Sequence, residues 1–221
     1  MVRNYLIIGS NSELAKEFIK LNSINRNQIF TISRNSRESD IDIDGYKENF
    51  DEIFNYVKNI PNCYILFFNG FLAENRPLQY PTNEEVISTY KINFQIPLFL
   101  TVKLSQLENV KKYIYISSVA AIRPRFKNYI YGNAKKMLEQ SIQTLDLKSF
   151  LILRFGKINT LMSVSHKNII LTLNKKEAAN LILKNIEKEG VLHANYGLKI
   201  VSIILRILPI KFINYIEKSL N

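Results

Sequence analysis

The chain has no tryptophan, one cysteine and two histidines in 221 residues. A single cysteine, Cys63, excludes an internal disulfide and a cysteine-based zinc site, and it suits a reducing compartment. His166 and His193 are too few and too scattered to suggest a metal site, so no metal is expected. No stretch reaches the ~20 apolar residues that cross a membrane. The nearest, Leu198 to Ile210, is interrupted by Lys199, Arg206 and Pro209. The N-terminus shows no signal-peptide pattern, because Arg3 precedes only the short apolar run from Tyr5 to Ile8. Repeats, low-complexity tracts and Pro/Gly/Ser-rich linkers are missing too, which points to one domain over residues 1–196 with an apolar and basic extension over 197–221. These features together favour a cytoplasmic location.

Acidic residues are the scarcer charge, 19 against 30 Lys and Arg, for a net charge of +11. That balance favours anionic partners such as phosphates, nucleotides or an acidic lipid surface, or else a solvated basic surface with no partner. The basic residues are dispersed, without a dense patch interleaved with aromatics, so a nucleic-acid partner is not expected.

Apolar runs of strand length alternate with segments of helical period. Strands are predicted over 4–9, 28–33, 63–68, 112–117 and 149–154, with a short one over 41–43. Helices are predicted over 12–21, weakly over 51–57, over a long stretch of 83–105 and over 131–144. Another starts at Asn174, with Glu177 placed to complete a capping box, Ala178, Leu181, Ile182 and Ile186 turned inward, and Gly190 as its stop. Strands apolar on both faces and separated by helices indicate a doubly wound parallel α/β sheet of Rossmann-like type, covered on two sides. Ligands of such sheets sit beyond the carboxyl ends of the strands.

The candidate residues fall at those ends. After the first strand come Gly9, Ser10, Asn11, Ser12, Glu13, Leu14 and Ala15. A strand, a Gly-bearing turn and a helix start can place a pyrophosphate on free backbone N–H groups. The same layout also describes an ordinary capped connection. Glu13 sits where it could oppose a phosphate or serve the helix dipole. The second strand ends at Ser33 and Arg34, with Arg37 nearby. An arginine there suits a 2′-phosphate and an acid would suit the ribose hydroxyl, so NADP is favoured over NAD.

Tyr131 lies 13 positions after Ser118 and four before Lys135, and Asn93 lies in the preceding long helix. Each has a bland alternative as a cap, a helix break or a surface residue. As a set they resemble the short-chain dehydrogenase/reductase family over Asn4 to about Thr160. Phe67-Phe68-Asn69-Gly70 is similar to the family's segment after its fourth strand, and Arg154-Phe155-Gly156-Lys157-Ile158-Asn159-Thr160 to the one lining the nicotinamide. Glu13 and Ala15 depart from the second and third glycines of the family turn, and Phe155 from its proline. An acid in the turn also occurs in branches that act on sugars.

The resemblance implies hydride transfer between NADP or NAD and a keto group or secondary alcohol. Tyr131 would be the acid/base and Lys135 its charge partner and ribose holder. Ser118 would orient the substrate oxygen, and Asn93 would support a proton relay. Gly9 to Leu14, Ser33, Arg34, Asn69, Gly70, Gly156, Ile158 and Thr160 would line the cofactor. It also implies a homo-oligomer. With the basic charge, it suggests an anionic small-molecule or lipid-linked substrate, such as a sugar intermediate of surface polysaccharide. A catalytically silent dinucleotide-binding regulator or scaffold is the alternative. The tail, read as two helices separated by Pro209, fits a substrate cover, a dimer contact or peripheral contact with an anionic membrane.

Overall fold

Continuous runs of Ile, Leu, Phe and Tyr leave a strand no polar face to show to water, so such strands must pair side by side and be covered by helices on both faces. The computed structural model has that arrangement. It describes residues 3–23, 28–34, 41–42, 50–73, 81–126, 128–164 and 171–219. Arg37, His166 and residue 43 lie outside the described residues. The strands are β1 (Asn4–Ile8), β2 (Gln28–Ser33), β3 (Ile41–Asp42), β4 (Cys63–Phe67), β5 (Val110–Ser118), β6 (Phe150–Phe155) and β7 (Gly190–His193). They form one parallel sheet in the order β3-β2-β1-β4-β5-β6-β7. The chain runs outward from β1 in one direction and from β4 in the other, so the two strands flank the switch point where ligands of such sheets bind.

Strand alternation divides the core in two. Leu6, Ile8, Ile65, Phe67, Tyr113 and Tyr115 face α2 (Phe50–Lys58), α4 (Ile96–Leu104) and α5 (Tyr129–Thr144). Tyr5, Ile7, Leu66, Ile114, Leu153 and Phe155 face α1 (Glu13–Ser23), α6 (Lys175–Asn185) and Leu198 of α7 (Tyr196–Ile207). Each fully buried Leu, Ile or Phe contributes about 1.5–3 kcal/mol through area removed from water. Phe67 and Tyr115 stack in parallel, centroids 4.8 Å apart, beneath α4, where the Tyr115 hydroxyl meets Thr101 Oγ1 at 2.6 Å.

Three expectations need correction. The long helix of 83–105 is three pieces. These are α3 (Asn83–Tyr90), a π-helical turn over Lys91–Gln95, and α4, so one extra residue is wound into the rod. Gly190 is no helix stop; α6 ends at Asn185, and Gly190, at φ +80°, opens β7, an edge strand whose short half-buried pattern carries little periodic signal. Leu181 is only half-buried, and Ala179 takes the inward place beside Ala178 and Ile182. The Asn174 capping box is present, with Asn174 Oδ1 accepting from Glu177 N–H and Glu177 Oε2 from Asn174 N–H, both at 2.9 Å. Pro209 separates α7 from α8 (Ile210–Ser219).

Candidate active site

Helix α5 approaches β5 closely enough to set Tyr131 beside Ser118. Gly132 permits this, because a Cβ there would lie 2.8 Å from Ala120 O and 3.2 Å from Pro124 Cα. Ser118 closes β5 and caps the short 3-10 turn Val119–Ala121, its Oγ accepting from Ala120 N–H at 3.2 Å. The cap and the catalytic reading are therefore compatible: the hydroxyl also lies beside Tyr131, whose pKa it lowers. The tyrosine is half-buried. Burial pushes its pKa up to about 12 against the lowering effect of the Ser118 hydroxyl.

One helical turn on, Lys135 is buried, 4% exposed. Its Nζ donates to Ile116 O at 3.1 Å and sits 5.9 Å from the Tyr131 ring centroid. Burial brings its pKa down to about 8, opposed by the nearby Glu139 carboxylate. Ser118, Tyr131 and Lys135 are thus together at the carboxyl end of β5.

Asn93 occupies the π-helical turn and is fully buried. Its Nδ2 donates to Phe71 O at 2.7 Å and Thr89 O at 2.9 Å, while its Oδ1 accepts from Phe71 N–H at 3.3 Å. Its amide is thus committed to pinning the loop after β4. Asn69 donates from Nδ2 to Ile92 O at 2.5 Å in the same turn, and its Oδ1 is buried without a hydrogen-bond partner among the described residues. Gly70 packs between Asn93 and Met162.

At the switch point, Gly9 adopts φ +82°, and a Cβ there would fall 2.6 Å from Asn69 N. Only glycine satisfies both conditions. Gly9 N–H and Ser10 N–H donate to Ile32 O at 2.9 and 3.2 Å. Ser10 Oγ contacts the same carbonyl at 3.4 Å. Asn11 Nδ2 donates to Arg34 O at 3.1 Å, tying the turn to the end of β2, where Ser33 is buried and the Arg34 side chain exposed. Ser12 caps α1, its Oγ accepting from Ala15 N–H at 3.1 Å. Leu14 turns into the core.

Glu13 reaches across the crevice. Its Oε2 accepts from Leu161 N–H at 2.6 Å, and its Oε1 pairs with Lys175 Nζ at 2.6 Å. Those two partners hold its carboxyl below the usual range. Glu13, Asn159, Thr160, Leu161, Val164, Asn174 and Lys175 line a cavity of about 290 Å³. Thr160 caps the 3-10 turn Leu161–Ser163. Ile158 bridges to Leu173, and Gly156 packs under Leu198.

Sequence reasoning missed a buried network behind Lys135. Arg154 Nε donates to both Glu139 oxygens at 3.0 Å, Arg154 Nη2 pairs with Oε2, and Ser117 Oγ donates to Oε1 at 2.6 Å. The available signal was an acid on the inward face of α5 and an arginine inside an apolar strand. Each is costly when buried unless the other meets it. Lys175, the partner of Glu13, was also missed. A lysine at the first position of a helix opposes the helix dipole, and that signals a nearby anion.

No family model matches the chain, and no curated protein matches it by sequence. Solved structures do match. A short-chain dehydrogenase from Burkholderia cenocepacia J2315 in complex with NADP is 14% identical, with a TM-score of 0.79 and 93% of each chain covered. The carbonyl reductase Sniffer of D. melanogaster is 16% identical, with a TM-score of 0.72 over 88% of this chain and 97% of that one. A short-chain dehydrogenase from Sphingobium yanoikuyae in complex with NADPH is 14% identical, with a TM-score of 0.69 over 88% of this chain and 89% of that one. The class is a doubly wound Rossmann-like α/β domain. Within that class, the fold is the one these short-chain dehydrogenases share.

Proposed function

We propose that the chain is an NADP-preferring oxidoreductase that interconverts a keto group and a secondary alcohol. The observation that carries this is Ser118, Tyr131 and Lys135 meeting at the end of β5, in a fold whose solved examples include complexes with NADP, NADPH and NAD. The residues at the switch point fit a dinucleotide. Beside the tight turn at Gly9, the buried Asn69 Oδ1, without a hydrogen-bond partner among the described residues, suits a polar ligand. The first turn of α1 adds N–H groups without intrahelical partners. Ser33 and the exposed Arg34 stand where an adenosine ribose and its 2′-phosphate would be read. Gly70, Gly156, Ile158 and Thr160 flank the nicotinamide side. The bound cofactor supplies or accepts hydride.

The chain's own residues handle the proton. Tyr131, protonated at neutral pH, donates to the carbonyl oxygen on reduction. Ser118 orients that oxygen, and the Lys135 ammonium stabilises the resulting phenolate. Asn93 holds the loop after β4 and the π-helical turn in register, which supports a proton path toward Lys135. For the substrate we infer a sugar-derived ketone or alcohol, free or lipid-linked, from surface-polysaccharide assembly. The +11 charge and the acidic residue in the glycine turn, as in similar sugar-acting enzymes, support that choice.

The test is titration of the purified protein with NADPH and NADH, following nicotinamide fluorescence, and then NADPH consumption on a panel of keto sugars. Micromolar NADPH binding with much weaker NADH binding, and turnover on a keto sugar, is the expected result. Failure to bind either cofactor overturns the reading.

A further inference from the structure

Helix α7 is apolar on two opposite sides. Leu198, Ser202 and Leu205 face the protein and are buried. Tyr196, Ile200, Ile203, Ile204 and Ile207 form a stripe along the opposite side, and Tyr196 and Ile207 are three-quarters exposed. A helix with two opposite apolar sides needs a cover on both. Lys199 and Arg206, seven residues apart on one flank, are both exposed, and α7 contains no acidic residue. After Pro209, α8 adds exposed Lys211, Phe212 and Tyr215.

The corner between the two helices is fastened to the active site. Arg123 Nη1 donates to Leu205 O at 3.0 Å and Arg206 O at 3.3 Å, and also to Leu208 O. Phe126 N–H donates to Asn214 Oδ1 at 3.2 Å. Arg123 and Phe126 belong to the segment linking Ser118 to Tyr131.

We propose that this face docks on an anionic lipid bilayer. The isoleucine stripe enters the boundary between headgroups and acyl chains, and Lys199, Arg206 and Lys211 meet lipid phosphates. Charge complementarity selects this occupant over a second copy of the chain. An antiparallel two-fold pairing through α7 would set the basic flank of each copy near that of the other. A stable dimer also takes roughly 20–30 residues a side, far more than one stripe supplies. Docking here would hold the segment linking Ser118 to Tyr131 beside the membrane, and it is separate from cofactor binding.

The experiment is co-sedimentation of the full chain with extruded vesicles of phosphatidylglycerol and phosphatidylcholine, against vesicles of phosphatidylcholine alone. Strong retention on the anionic vesicles, weakened by salt, is expected. Ile203→Glu with Ile207→Glu should lower partitioning about tenfold or more. Lys199→Glu and Arg206→Glu should each lower it roughly fivefold or more. All four side chains are exposed, so thermal melts of the variants should match the parent. Two results would overturn the proposal. One is absence of retention, or retention indifferent to Ile203→Glu with Ile207→Glu. The other is a dimer in sedimentation velocity without vesicles that Ile207→Glu dissolves.

Discussion

The two halves of the crevice are built differently. At the end of β5, Ser118, Tyr131, the buried Lys135 and the Glu139–Arg154 pair behind it are packed into one group. At the end of β1, the Glu13 carboxylate occupies Leu161 N–H and Lys175, two donors that a phosphate could use, and both charges of that pair are about a third exposed. On the proposed reading, rigidity is placed where a proton would move over a short distance. The more exposed, exchangeable contact is placed where, on the same reading, a ligand would arrive and leave.

The strongest way to break the catalytic half is Tyr131→Phe. Turnover should fall by about 10²–10⁴-fold, the span of general acid–base catalysis, while fluorescence titration shows NADPH affinity little changed. Glu139→Ala leaves Arg154 buried without its counter-charge and should cost about 3–5 kcal/mol in denaturant unfolding. A loss under 1 kcal/mol would mean the network is dispensable.

The pH profile follows from Lys135. Carbonyl reduction should be steady near neutrality and decline as pH rises through about 8, where the buried ammonium is lost, well before Tyr131 ionises. The folded pKa lies below the ordinary 10.5, so between about 8 and 10.5 the unfolded chain binds the extra proton, and this group makes stability rise with pH across that window. A reduction rate flat to pH 10 would remove Lys135 from the mechanism.

The smallest effect belongs to the phosphate half. Glu13→Gln should change stability by under about 1 kcal/mol, because the ion pair is solvent-screened. NADPH should bind several-fold tighter once no carboxylate competes for Lys175. Weaker binding would recast Glu13 as a ligand-side group and erase the contrast between the halves.

Much of this contrast was legible in the residues. The parallel sheet followed from strands with no polar face, and the grouping of Ser118, Tyr131 and Lys135 from the resemblance of their spacing to that of the short-chain dehydrogenase/reductase family. The chain entering α6 was legible from Asn174 and Glu177, since a capping box is a local signal. What stayed hidden was non-local. Glu13 and Lys175 are 162 residues apart, and nothing near either one names the other. Glu139 and Arg154 read as an ordinary helix acid and strand base until α5 is laid on the sheet. The π-helical turn was hidden for a different reason: Lys91–Gln95 has ordinary helical composition, and its extra residue is fixed by Asn93 bonding to Phe71 across the crevice.

That extra residue makes the chain's length at this point a heritable property of the site. Each residue of an α-helix advances the winding by about 100°. Loss of one codon anywhere in Lys91–Gln95 would let the rod close into a regular helix and turn Asn93 away from Phe71. Substitutions on the exposed side of the turn would leave that register intact. Lineages of this chain should therefore vary in spelling across the turn while keeping its residue count.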